Sequence, residues 1–127
     1  MAKPACVILG MILLIIGAVG FLEHGVLGMR LSPVHNFIHF VSGLLAVYFG
    51  WQGTSEAARS TCIVLGLVYG LLGTTGFLFG SAADYVLTLI PNQLVLGTMD
   101  HVLHLILGAV FLASGFARQP VTSARRF

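Results

Sequence analysis

Charge is the scarcest thing in this sequence. Six basic and four acidic side chains serve 127 residues, and charged residues make up only 8% of them. A water-soluble chain of this length buries only part of its surface and must clothe the rest in polar groups. So few charges cannot do that, which excludes an ordinary soluble domain and makes the lipid bilayer the solvent for much of the surface. The formal net charge of +2 rests on scattered or terminal basic residues, so no nucleic-acid surface is expected. Cysteine is sparse too. Cys6 and Cys62 fit neither a disulfide framework nor a CxxC metal motif, and the expectation for each is a small buried hydrophobe. No Ser-His-Asp order, phosphate loop or paired-carboxylate pattern is present, so no enzyme is expected.

What the sequence does hold is long apolar runs, with 57% of residues in the hydrophobic set. Residues 5–22 and 62–80 are uncharged, and two further runs are apolar except in their first two turns. Each approaches the ~20 residues that cross a bilayer core. Only helices or closed barrels satisfy backbone groups in lipid. The expectation is therefore all-α: one membrane domain over 1–127, an integral membrane four-helix bundle with helices near 5–23, 34–52, 61–80 and 98–117. Ser32 and Pro33 read as the cap and first residue of the second helix, and Thr98 as the cap of the fourth. A further apolar piece, 85–97, is broken by Pro91 and Asn92 and is too short to span, so it is placed in the membrane interface. Lys3, Arg59, Arg118, Arg125 and Arg126 fall on one side of this topology and Arg30 on the other. The excess of basic residues puts both termini in the cytoplasm, with Trp51 in the aromatic belt of that face.

The helices come in two related pairs, about 5–52 and 61–117. Gly17, Gly20, Phe21 and Leu22 match Gly73, Gly76, Phe77 and Leu78 at one offset, and Cys6 matches Cys62. Asn36, His39, Gly43 and Gly50 fall on His101, His104, Gly108 and Gly115 at another. Units with an even number of spans share one orientation, so the repeat is parallel, with its pseudo-twofold axis along the membrane normal. The repeat also counts against reading the first run as a cleaved leader, with Lys3 before it and the small pair Ala18 and Gly20 as the cleavage site. Gly66, Gly70, Gly73 and Gly76 form a small-residue face for close helix packing.

Polar residues concentrate at one depth. His35, Asn36 and His39 open the second helix, and Asp100, His101 and His104 open the fourth. Ionisable groups inside a membrane are costly and face the bundle interior or a water-filled cavity. As a structural device, this cluster hydrogen-bonds helices together, with Asn36 and Asp100 as partners of His39 and His104. As a ligand site, it offers imidazoles to a transition metal, with His39 and His104 as the leading candidates, or holds a haem non-covalently between those two rings, since no CxxCH attachment motif is present.

The start of the second helix, His35-Asn36-x-x-His39, resembles a bacterial membrane family known as domain of unknown function forty-three eighty-three. So do the stretch 59–76, with its Val68-Tyr69-Gly70-Leu71-Leu72 core, and the Asp100-x-x-x-His104-Leu105 start of the fourth helix. The resemblance extends from about residue 6 to 116. It implies four spans in a bacterial cytoplasmic membrane and no particular activity. His35, Asn36, His39, Asp100 and His104 match the family pattern, whereas His101 is this chain's own. The leading expectation is a small non-enzymatic polytopic protein, accessory or structural. The alternative is metal-ion or haem handling through the histidines. Self-association into a homo-oligomer, or entry into a larger membrane complex, stays open.

Overall fold

The computed structural model describes residues 2–117. Four long helices account for most of them: α1 (Ala2–Leu22), α2 (Pro33–Trp51), α3 (Ser55–Phe79) and α4 (Thr98–Phe116). Three of these, α1, α3 and α4, are long and apolar enough to cross a membrane. In α2 the run of His35, Asn36 and His39 lowers the hydropathy of the first turns. Large apolar side chains such as Ile8, Ile15, Leu71 and Ile106 are more than half exposed, which fits a membrane protein. Arg118, Arg125 and Arg126 lie outside the described residues.

The helix starts show which sequence signals act. The Ser32 hydroxyl accepts from the His35 N–H at 3.3 Å, and Pro33 follows as first helical residue, as expected. Helix α3 begins at Ser55, earlier than the apolar run suggests. Thr54 caps it, accepting from Ala57 N at 3.1 Å, and Glu56 complements the positive end of the helix. A polar first turn is helical once it is capped, and hydropathy alone does not see it. Thr98 is not the cap of α4. Gly97 holds that position, its N–H bonded at 2.8 Å to the Asp100 carboxylate, while the Thr98 hydroxyl donates to Asp84 O at 2.9 Å.

The all-α expectation needs one amendment. Residues 85–97 contain an antiparallel hairpin, β1 (Leu87–Ile90) with β2 (Leu94–Leu96). Pro91 and Asn92 are its turn: Gln93 N bonds to Ile90 O at 3.0 Å, and Asn92 has φ 60°. Proline followed by a left-handed asparagine is the signature of a type II turn. The pair that breaks a helical reading therefore makes a hairpin.

Helices pack mainly as two antiparallel pairs, α1 with α2 and α3 with α4. Glycines set the closeness. A Cβ on Gly10 would strike Val47 N at 2.8 Å, and one on Gly66 would strike Leu112 N at 2.8 Å. A Cβ on Gly17 would meet Asn36 O at 2.9 Å, and one on Gly73 would meet His101 O at 2.8 Å. Gly20 and Gly76 leave room for the side chains of Asn36 and His101. Gly70 differs: nothing would meet a Cβ there, and its backbone instead receives Gly108.

Burial follows the same register in both pairs. The buried residues Ala2, Cys6, Leu9, Gly10, Leu13, Gly17 and Gly20 of α1 line up at one offset with Ala58, Cys62, Leu65, Gly66, Tyr69, Gly73 and Gly76 of α3. In the same way His35, Asn36, His39, Gly43, Ala46 and Gly50 of α2 line up with Asp100, His101, His104, Gly108, Phe111 and Gly115 of α4.

Candidate functional site

Six polar residues are buried among the described residues: His35, Asn36, His39, Asp100, His101 and His104, none more than 2% exposed. They are the six that the sequence places together at the starts of α2 and α4. His35 and Asp100, in first turns, are as buried in the protein as the rest. Helical spacing puts His35 and His39 one above the other on α2, and their rings stand 4.4 Å apart. From α4, His104 brings its ring to 5.5 Å from His35 and 5.9 Å from His39. One nitrogen from each of these three rings lies within 4.8 Å of the others.

The hydrogen bonds assign the protons. His35 Nδ1 lies 2.9 Å from Arg30 O, and a carbonyl only accepts, so Nδ1 carries the hydrogen. That leaves Nε2 of neutral His35 as a buried lone pair with no protein partner. His101 is tied differently. Its Nε2 donates to Tyr85 O at 2.6 Å, which Tyr85 presents from a left-handed turn with φ 50°. His101 is thus a strut between α4 and the loop after α3. His24, which follows α1, is exposed and donates to Leu31 O at 3.1 Å.

Asn36 and Asp100 do not partner His39 and His104, contrary to the sequence expectation. Asn36 Nδ2 donates to Leu31 O at 3.2 Å. Asp100 accepts from Arg30 N at 3.1 and 3.2 Å and from Gly97 N at 2.8 Å. Both bond to backbone N–H and C=O groups of nearby loops instead of to the histidines. Both ring nitrogens of His39 and of His104 are left without protein partners.

Tyr69 completes the cluster and was not among the residues singled out from sequence. It is 1% exposed, its ring lies 5.4 Å from that of His104 and 6.0 Å from that of His39, and its hydroxyl faces Ser42 without a hydrogen bond of ordinary length. Phe111 stacks on its other side, with ring planes 8° apart. The available signal was its membership of the Val68-Tyr69-Gly70 core.

A buried polar atom without a partner costs about 1–3 kcal/mol, so several converging at one place are not bystanders. Three imidazoles and a phenol, with no thiol and no directly facing carboxylate, form a donor set for borderline transition metals such as Zn, Cu, Ni or Fe. The Nδ1–H of His35 bonds a carbonyl and lies 3.9 Å from Asp100 Oδ1, the outer-shell arrangement that orients a metal-binding imidazole. A haem fits these rings poorly. A macrocycle between His39 and His104 would have to pass through the space of His35, which is in contact with both.

A family model described as "Domain of unknown function (DUF4383)" matches residues 3–117. Neither curated proteins nor solved structures give a match.

Proposed function

We propose that this chain, which belongs to the DUF4383 family, is a membrane protein that holds a transition-metal ion between α2 and α4. The observation that carries the reading is the convergence of His35, His39 and His104, fully buried, with ligand atoms within 4.8 Å of one another. His35 Nε2 would supply one lone pair and His39 and His104 one each, leaving a further position of the ion open, as zinc sites with three protein ligands do. The ion supplies the Lewis acidity, and the residues hold and orient it. Helix glue, the purely structural alternative, needs hydrogen-bond partners that His39 and His104 do not have. A cavity of about 330 Å³ beside Arg30, Ser32, Asn92 and Gln93 adjoins the loop that anchors His35. We read the role as holding rather than transforming a ligand.

The finer architecture belongs to the same proposal. All four helices span, α2 included, since 19 residues at 1.5 Å each reach about 28 Å. The matching burial registers support an internal duplication with a parallel twofold axis. The axis runs near His39 and His104, which hold one register position. Lys3 and Arg59, at the starts of α1 and α3, support a cytoplasmic face at that end and an outward-facing cluster at the other, in a bacterial cytoplasmic membrane.

The test is metal content. Protein purified in mild detergent should carry a transition metal near one per chain, or take up Co²⁺ with visible d–d bands of a tetrahedral site. Folded protein that neither retains nor takes up Zn²⁺, Co²⁺, Cu²⁺ or Ni²⁺ would defeat the proposal.

A further inference from the structure

From sequence, Cys6 and Cys62 are two small hydrophobes far apart in the chain. In the fold they meet at the contact of α1 and α3, at the end of the molecule opposite the histidines. Both are fully buried and both are free thiols. Cys6 Sγ lies 3.7 Å from Ala58 O, and Cys62 Sγ lies 3.9 Å from Ala2 O. Ala58 is one helical turn before Cys62, and Ala2 is one turn before Cys6. The contacts are therefore reciprocal: each sulfur rests against the turn that carries the other, and the two side chains are neighbours.

The surroundings favour a bond between them. Ala2 and Ala58, 3% and 0% exposed, let the two backbones approach, and a disulfide needs Cα atoms about 4.4–6.8 Å apart. The carbonyls that face the thiols already accept from their own helices, so losing the S–H groups forfeits only long, weak contacts. A disulfide carries neither charge nor donor and suits apolar surroundings, whereas a buried thiolate does not.

We infer that Cys6 and Cys62 are a modification site: a thiol pair that closes to an intramolecular disulfide on oxidation and ties α1 to α3. The oxidant class is a lipid-soluble hydroperoxide. One thiol takes its terminal oxygen, becoming a sulfenic acid, and an alcohol departs. The second sulfur then displaces water as the S–S bond forms. Two thiols and one hydroperoxide give one disulfide, one alcohol and one water. The bond crosses the sparser interface of the fold, because the helices pack chiefly within the pairs α1–α2 and α3–α4.

The test uses the full chain in membranes or mild detergent, treated with cumene hydroperoxide, then denatured and alkylated. The expected result is an intact mass lower by two hydrogens, no alkylation without reductant, and faster migration on a non-reducing gel. Cys6→Ala and Cys62→Ala should each leave the remaining thiol open to alkylation or to further oxidation. Two thiols still alkylatable after treatment, disulfides only between chains, or sulfinic acid at both positions would overturn the inference. Metal content of the same samples is read separately, and it tests the histidine site without bearing on the thiols.

Discussion

His35 and Asp100 occupy matching positions of α2 and α4, and one residue, Arg30, holds both through its backbone. The Arg30 N–H donates to the Asp100 carboxylate, and the Arg30 carbonyl accepts from His35 Nδ1 at 2.9 Å. The loop after α1 is thereby clamped to the first turn of α4, and the orientation of His35 depends on a carboxylate from the other helix pair. Asp100→Ala removes the acceptor for Arg30 N and Gly97 N together. The expected cost is about 2–4 kcal/mol, read as a lower unfolding temperature in detergent, with Asp100→Asn falling in between. An Ala variant as stable as the parent would mean that the clamp is not needed.

The histidines separate by role. His39→Ala and His104→Ala should lower bound metal at least about tenfold, with helical content by circular dichroism retained. His24→Ala, at an exposed ring outside the cluster, should leave metal content unchanged. Ligand imidazoles must be unprotonated, so acid should release the ion and mild alkali should not. Equal metal content in His24→Ala and His39→Ala protein would remove His39 from the site.

Glycine substitutions should divide by what a Cβ meets. At Gly20 it would collide with the Asn36 side chain, and at Gly76 with the ring of His101. Both neighbours are fully buried and held by hydrogen bonds, so neither gives way cheaply. Gly20→Ala and Gly76→Ala should each destabilise by about 1–3 kcal/mol. Gly70→Ala meets nothing within 4 Å and should be neutral, or gain up to about 1 kcal/mol from helix propensity. A Gly70→Ala variant that loses stability or changes oligomeric state would show that this open face is covered by another molecule.

The sequence shows the helices and the polar cluster because both depend on local pattern. Apolar run length and four-residue spacing are enough to find α1–α4 and to gather six polar residues at two helix starts. What it hides depends on distance in the chain. Tyr69 sits in the middle of an apolar run, and only packing of α3 against α2 and α4 brings its ring to the histidines. Cys6 and Cys62 read as isolated because their reciprocal contact exists only across two helices. Asn36 and Asp100 look like histidine partners by proximity, yet they bond to Leu31 O and Arg30 N of the loop after α1 instead. The hairpin is hidden for another reason: Pro91 and Asn92 are read as a break when they are a turn.

Topology gives the last prediction. Lys3 and Arg59 lie at the starts of α1 and α3, while Arg30 lies in the loop between α1 and α2, at the opposite end. Positively charged loops stay in the cytoplasm, so the end bearing Lys3 and Arg59 is placed there and the histidine end outside. Helix α4 runs away from the histidines toward that same cytoplasmic end, because Gly115 packs near Arg59 and Gly76 packs at His101. A reporter fused to the C-terminus should therefore be active in the cytoplasm, and one inserted in the loop near Asp84 should be active outside. Reporters on one common side would mean that α4 does not span. A C-terminus found outside would invert the fold in the membrane and turn the histidine cluster toward the cytoplasm.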